Sequence, residues 1–167
     1  LMVETTQVAT GRTSVPPDHS GVVVPPPLIY VVFFLGGVGL DRTGFLPSLP
    51  FAAARGLGAV FVLSCVVLVA WSFKRFWAVG TSVIPVRPTT AIVVQGPYRF
   101  TRNPMYLGLL LLYLGVAGWF GFVGPLVLAP VLVWVISAFV IAREERYLAR
   151  KFRAEYQRYQ AQVRRWL

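Results

Sequence analysis

The uncharged run over residues 103–142 is the feature that most constrains how this chain can fold. It is about twice as long as the roughly 20 apolar residues that a helix needs to cross a bilayer. Near its middle, residues 118–125 read GWFGFVGP, and glycine and proline in this density mark a turn. We therefore expect two membrane-spanning helices joined by a tight turn.

Two more apolar blocks extend this interpretation towards the start of the chain. Residues 56–73 form an uncharged block that residues 51–54 lengthen, and a shorter block covers residues 28–40. With 56% hydrophobic residues, the 167-residue chain is too apolar for an ordinary soluble domain. We predict an all-α, polytopic membrane helical bundle with about four transmembrane helices, near residues 28–41, 51–73, 104–119 and 122–142.

The charged residues indicate how such a bundle is oriented. Of the 16 Lys and Arg residues, five lie between Lys74 and Arg102 and eight lie from Arg143 onward. This is the positive-inside pattern, so we expect a multi-pass membrane protein with both termini and a loop over residues 74–103 in the cytoplasm. If the organism is a prokaryote, the membrane is expected to be the inner membrane. Lipid headgroups explain the net charge of +10 better than a nucleic acid does. Residues 1–24 are expected to be a flexible tail before a domain over residues 25–167.

Several common kinds of active site have no residues from which to be built. Cys65 is the only cysteine and falls within an apolar block, and His19 is the only histidine. A cysteine or histidine metal site, a disulfide framework and a Ser-His-Asp triad are therefore not expected.

Polar residues concentrate over residues 95–108, just where the third predicted span begins. Asn103 followed by Pro104 is a strong helix-start signal, because the Asn side chain can accept from free N–H groups and Pro has no N–H to leave unpaired. The positive end of the helix dipole would then point at Arg99 and Arg102 and form a pocket for a carboxylate or phosphate. Gly108, one turn in, would let a ligand approach the helix closely.

Glu144 and Glu145 follow the last predicted span, at the start of an amphipathic helix over residues 143–163. Glu145 falls in the apolar sector of that helix and Glu144 lies at the edge of this sector. Neither glutamate has Lys or Arg three or four positions away, so we expect partners from elsewhere, either the loop arginines or a cationic ligand. A purely structural clamp between Glu145 and Arg102 is the alternative.

The chain resembles the isoprenylcysteine carboxyl methyltransferase and phospholipid methyltransferase superfamily of small membrane enzymes. The family pattern G-x-Y-x-x-x-R-H-P-x-Y-x-G is similar to residues 96–108, and its E-E is similar to Glu144-Glu145. Its F-G-x-x-Y-x-x-Y and V-x-R-W endings are similar to residues 152–159 and 163–166. Asn103 stands where the pattern has His, and Arg153 stands where it has Gly.

The resemblance implies methyl transfer from S-adenosylmethionine to a lipophilic or prenylated acceptor that enters from the membrane. The cofactor-binding residues that it implies are Gln95, Gly96, Tyr98, Asn103, Pro104, Tyr106, Leu107, Gly108, Glu144 and Glu145. Arg102 and Glu145 would act in catalysis, and Arg99 and Trp166 would contact the acceptor. No metal is implied.

Three other functions remain open from the sequence. The acceptor could be a phospholipid amine in place of an isoprenylcysteine-like carboxylate. A membrane reductase could bind NADPH at a similar loop, although no G-x-G-x-x-G follows a strand here. A non-enzymatic lipid-binding protein could use the basic terminal helix as a surface anchor.

Overall fold

The computed structural model describes residues 24–47, 49–79 and 92–167. These parts of the chain contain helices and no strand, which confirms the predicted all-α class. The predicted tail lies almost wholly outside the described residues, as does part of the predicted loop over residues 74–103.

Within these described ranges, the fold consists of five α-helices and two short helical segments. They are α1 (Pro26–Asp41), α2 (Phe51–Val79), a 3₁₀ helix (Gly96–Arg99), α3 (Pro104–Phe120), α4 (Gly124–Val135), a π-helical segment (Ile136–Ile141) and α5 (Ala142–Gln162). α2 continues six residues past the end predicted for the second span. α4, the π-helical segment and α5 follow one another directly, so the last predicted span and the amphipathic helix form one helical rod that is kinked at Arg153.

Two of these helical stretches are long and apolar enough to cross a membrane. They are Ala52–Arg75 and the continuous rod Gly124–Gln162, whereas α1 and α3 are shorter apolar helices. The charged residues of the rod begin at Arg143, so its apolar part ends at Ala142. Four membrane crossings stay a prediction.

Glycines allow α2 and α3 to approach each other until their backbones touch. A side chain on Gly58 would place its Cβ 2.6 Å from the backbone nitrogen of Trp119 and 2.7 Å from the oxygen of Gly115. A Cβ on Gly118 would lie 3.0 Å from the oxygen of Ala54. Small residues are the usual contact between helices in lipid, where burial of apolar side chains drives association weakly. This contact holds α3 in place.

The other close pair, α1 and α4, is closed by a carboxylate. The N–H groups of Val123 and Gly124 donate to Asp41 Oδ1 at 3.2 and 2.8 Å, so the last residue of α1 caps the start of α4. α3 joins this pair through the hydroxyl of Tyr113, which donates to the carbonyl oxygen of Pro125 at 2.8 Å.

The π-helical segment changes the direction in which the following side chains point. A π turn contains about one residue more than an α turn, so the helix after it is rotated by about 100° relative to an uninterrupted α-helix. Ile136, Val140 and Ile141 pack in the core, and Glu145 beyond them is 8% exposed. The buried position that the sequence predicted for Glu145 is confirmed.

Arg153 has a backbone conformation that arginine rarely adopts. Its φ of 41° and ψ of −116° break the helical geometry inside α5. Glycine adopts positive φ without a steric penalty, and this is the position where the family pattern has glycine. Arg153 therefore strains the backbone at a kink that glycine would accommodate.

We expect Gly58→Ala to destabilise the protein by about 1–3 kcal/mol, because its methyl group overlaps backbone atoms that cannot rotate away. Gly56→Ala in the same helix is the matched control, since a Cβ there meets nothing within 4 Å. The thermal unfolding midpoints of the two variants in detergent check this. Equal midpoints would contradict the close packing of α2 on α3.

We expect Arg153→Gly to stabilise the protein by about 1 kcal/mol, because relief of about 1–3 kcal/mol of backbone strain exceeds the entropic cost of glycine. The matched control is Arg150→Gly, which removes the same charge from an exposed helical position and should cost about 1 kcal/mol. The two unfolding midpoints should thus move in opposite directions. A lower midpoint for both variants would refute the strain.

Candidate functional site

The candidate site lies where the segment before α3 meets α5 and the C-terminal residues 163–167, which we call the C-terminal segment. Gly96 starts the 3₁₀ helix with a φ of 65°. A Cβ there would lie 2.9 Å from the Arg75 side chain and 3.0 Å from Nε1 of Trp71. Glycine is thus required both by the conformation and by the space. The turn that it makes buries Tyr98.

Asn103 starts α3 but does not cap it. Its side chain makes no capping hydrogen bond; instead Nδ2 donates to the carbonyl oxygen of Arg165 at 2.9 Å. The Asn103 N–H donates to Oγ1 of Thr101 at 3.1 Å, and the Thr101 hydroxyl donates to the same Arg165 oxygen at 3.2 Å. The predicted capping role was wrong, because the C-terminal segment offers this amide a carbonyl partner that the sequence did not reveal.

Glu145 binds two guanidinium groups. Nη2 of Arg102 lies 3.3 Å from Oε1, and Arg165 donates from Nη2 to Oε2 at 2.5 Å and from Nε to Oε1 at 3.2 Å. The side chains of Glu145 and Arg102 are only 10% and 12% exposed. The hydrogen bond to Glu145 raises the pKa of Arg165. The ion pair that the sequence suggested between Glu145 and Arg102 forms, and Arg165 completes it.

Glu144 has a different partner. The hydroxyl of Tyr106 donates to Oε1 of Glu144 at 2.6 Å, a short bond of the kind that a carboxylate forms with a hydroxyl. Tyr106 is buried, and Tyr30 of α1 donates to its carbonyl oxygen at 2.9 Å, which ties the first turn of α3 to the bundle. The two neighbouring glutamates thus divide their roles, since Glu145 is occupied by protein cations and Glu144 is not paired with an arginine in the described ion pairs.

The surroundings of Glu144 favour its protonated form. Burial raises the pKa of Glu144 to about 7; the hydrogen bond from Tyr106 lowers it, and the charge of Glu145 raises it again. Glu144 lies beyond Ala142, outside the apolar part of the rod. A carboxyl group with this pKa can either carry a negative charge or hold a proton near neutral pH.

Aromatic side chains form the wall of the site on the side of the 3₁₀ helix. Tyr98, Tyr156 and Tyr159 are buried together, and the Tyr159 hydroxyl donates to the carbonyl oxygen of Tyr98 at 2.7 Å. Ser72 of α2 is hydrogen-bonded to the Tyr98 side chain. This wall links α2, the 3₁₀ helix and α5 around the two glutamates.

Four residues predicted for the site lie elsewhere or serve packing. Arg99 and Gln95 have exposed side chains, and Arg99 does not pair with either glutamate as expected. A Cβ on Gly108 would lie 2.6 Å from the Val69 side chain, so Gly108 allows the close contact with α2. Trp166 donates from Nε1 to Oγ of Ser137 at 2.9 Å and packs on the core.

The remaining predicted residues occupy the first turn of α3. Pro104 is fully buried, and Leu107 is half-buried with its N–H bonded to the carbonyl oxygen of Asn103 at 3.0 Å. Leu107 thus closes the helical turn that carries Tyr106.

Sequence reasoning missed Arg165 and Tyr156. Arg165 lies closer to Glu145 than Arg102 does, with its Nη2 2.5 Å from Oε2, yet the motif interpretation includes it only within the V-x-R-W-like ending. Tyr156 is 2% exposed and lies within electrostatic range of Arg102 and both glutamates. The sequence signal that could have identified Arg165 is the combination of Glu145, an acid without a basic partner on its own helix, with a basic residue in the C-terminal segment. In the described parts of the chain, no three His, Cys, Asp or Glu residues gather as metal ligands.

Comparison with known proteins identifies relatives of this chain. The family model described as phospholipid methyltransferase matches residues 53–155, which is more than half of the chain and includes α2, α3 and both glutamates. An uncharacterized protein of Haemophilus influenzae is 48% identical over 63 residues, which is 38% of this chain and 100% of that protein. No solved structure matches.

We expect the unfolding midpoint to fall as the pH rises from about 4.5 to about 7, because the folded protein holds the Glu144 proton more tightly than the unfolded chain does. The loss is about 3 kcal/mol at most, at roughly 1.4 kcal/mol per pKa unit. Glu144→Gln should remove this part of the pH dependence.

The matched control is Glu155→Gln, which removes an exposed carboxylate from the same helix and should follow the wild-type curve. Unfolding is measured in detergent over pH 4 to 9. A Glu144→Gln curve parallel to that of the wild type would show that Glu144 does not titrate in this range.

Proposed function

Because the chain belongs to the phospholipid methyltransferase family, we propose that it transfers a methyl group from S-adenosylmethionine to a lipophilic acceptor at the cytoplasmic face of a membrane. The observation that carries this proposal is the hydrogen bond between Tyr106 and Glu144, beside a Glu145 that protein cations already occupy. It leaves one carboxylate for a cationic ligand.

The residues present fit the amino-acid end of S-adenosylmethionine, which carries an ammonium and a carboxylate group. Glu144 supplies an acceptor for the ammonium. Nε of Arg102 is buried and has no hydrogen-bond partner, so one donor near Glu145 is available to a carboxylate or phosphate. Tyr106 orients Glu144, and Tyr98 and Tyr156 supply an apolar wall with polar tips.

When bound, S-adenosylmethionine supplies a methyl group activated by a positively charged sulfur. Displacement at such a methyl group spreads charge, so alignment and exclusion of water accelerate it without a strong base. A site without histidine or cysteine among its described residues is compatible with this chemistry. Arg102 is anchored by its ion pair with Glu145 and by its main-chain hydrogen bond to Arg164, which suits it to position an acceptor.

The acceptor is proposed to be lipophilic because the site residues adjoin the apolar helices α3 and α4 and the π-helical segment. An isoprenylcysteine-like carboxylate would be positioned by Arg102. A phospholipid amine would instead lose a proton on methylation, and because Glu144 is assigned to the ammonium of the methyl donor, that proton would pass to water. The distribution of Lys and Arg supports an inner-membrane protein with its termini and this site in the cytoplasm.

Two measurements test the proposed function. Isothermal titration of the purified protein with S-adenosylhomocysteine and with NADPH should give binding of the former alone; binding of NADPH alone would establish a reductase instead. Incubation of lipid extracts with radiolabelled S-adenosylmethionine should then label one lipid class. Alkaline release of the label as methanol indicates a carboxyl ester, and stable label indicates an amine.

We expect Tyr106→Phe to weaken S-adenosylhomocysteine binding about tenfold or more, because a hydrogen bond to a charged group contributes about 1.5–3 kcal/mol. Tyr113→Phe is the matched control, since it removes a buried hydroxyl from the same helix that bonds only to the backbone of α4. Isothermal titration of both variants checks this. Equal affinities would exclude the Tyr106–Glu144 pair from the binding site.

A further inference from the structure

The main chain of the C-terminal segment is attached to the site without the side chain of Arg165. The N–H of Arg102 donates to the carbonyl oxygen of Arg164 at 3.0 Å, and Asn103 and Thr101 donate to that of Arg165. Trp166 adds the hydrogen bond to Ser137 in the π-helical segment. Four hydrogen bonds therefore hold this segment, and the Arg165 guanidinium is free to serve another purpose.

The Arg165 side chain contributes a second positive charge beside the two glutamates. Its guanidinium binds both oxygens of Glu145, which Arg102 alone would already neutralise. Glu144, Glu145, Arg102 and Arg165 together carry no net charge when both acids are ionised. Without Arg165, the same cluster would carry a net negative charge in a place with little contact to water. A second cation is thus needed only if Glu144 is to be ionised as well.

Resting on the function proposed above, we propose that Arg165 is a positioning residue of the methyl-transfer site: by holding Glu145, it keeps Glu144 ionised and oriented towards Tyr106 for a cationic ligand. Arg165 does so without touching that ligand. Its side chain is 40% exposed, whereas that of Arg102 is 12% exposed, so Arg102 is the more buried and Arg165 the more exposed of the two cations that bind Glu145.

The groups that face Glu144 support this assignment. Tyr106 of α3 donates to it, Tyr98 of the 3₁₀ helix and Tyr156 of α5 lie within electrostatic range, and Glu145 is its acidic neighbour. Burial raises the pKa of Tyr98 and Tyr156, so these two tyrosines stay neutral near pH 7. Among these groups, Glu145 is the one whose charge opposes ionisation of Glu144, and Arg165 acts directly on Glu145.

The test compares ligand-free variants first. For each background, the unfolding temperature is measured as a function of pH for the protein with Glu144 and for its Glu144→Gln variant. The ionisation midpoint of Glu144 is the pH at which the difference between these two temperatures has completed half of its total change. Arg165→Ala should move this midpoint upward by about one pH unit, as expected for the loss of a nearby cation. Arg165→Lys should restore most of it. Arg165→Ala combined with Glu145→Gln should also restore it, because the excess negative charge is removed.

Trp166→Phe is the matched control for loosening of the C-terminal segment. It breaks the hydrogen bond to Ser137 and leaves every charge in place, so the protein should unfold at a lower temperature with an unchanged midpoint. If Arg165→Ala behaves like Trp166→Phe, lower in stability but unchanged in midpoint, Arg165 is only an attachment of the chain end and the proposal is overturned.

Titration with S-adenosylhomocysteine then connects Arg165 to the function. At pH 7, Arg165→Ala should bind it about fivefold more weakly, because a midpoint one unit higher leaves about a tenth of Glu144 ionised in place of about half, and the affinity should recover at pH 9. A loss that persists at pH 9 overturns the proposal. If the wild type binds no S-adenosylhomocysteine, the proposed function fails, and the unfolding midpoints alone decide the role of Arg165.

Discussion

The carboxylate of Glu145, held between Arg102 and Arg165, is the interaction on which the end of the bundle that carries the candidate site depends. It joins three separate pieces of the chain: the segment before α3, the start of α5 and the C-terminal segment. Burial of a charge without a partner is costly, so displacement of any one of these three pieces would leave a buried charge unpaired and destabilise the other two. The same interaction separates the two glutamates chemically, because it occupies Glu145 and leaves Glu144 bonded to Tyr106.

The ion pairs of Glu145 with Arg102 and Arg165 separate the roles of the two glutamates only because the helices that carry these residues are fixed relative to one another. In lipid, apolar side chains gain little by leaving their surroundings, so helices associate through close contact and hydrogen bonds. Gly58, Gly115 and Gly118 supply the contact between α2 and α3, and Asp41 and Tyr113 supply hydrogen bonds that attach α4. The first turn of α3, and with it Tyr106, is therefore presented to Glu144 from a rigid base. Arg153, the strained position among the residues that the structure describes, lies outside this contact network, at a kink in α5.

The helices and the burial of Glu145 could be predicted from the sequence more fully than individual side-chain contacts could. The apolar runs indicated the helices, and the period of α5 placed Glu145 on its buried face. Asn103, Gly108 and Arg99 were assigned from local motifs, and in each case the same residue type serves a second purpose. An amide can cap a helix or bond a distant carbonyl, a glycine can admit a ligand or a neighbouring helix, and an arginine can bind an acid or face water. Sequence spacing does not distinguish these uses. Which residues hold the ligand stays a prediction.

The sequence by itself determined the all-helical membrane class, the family and the presence of an acidic pair that needs cations from elsewhere, because these follow from hydrophobicity, local spacing and motif. Only the tertiary structure decided which cations those are and which glutamate they occupy. Arg165 reaches Glu145 across 20 positions of the chain, and Glu144 meets Tyr106 across 38. Contacts between residues so far apart depend on how helices pack and on the rotation introduced by the π-helical segment, and no local pattern records either.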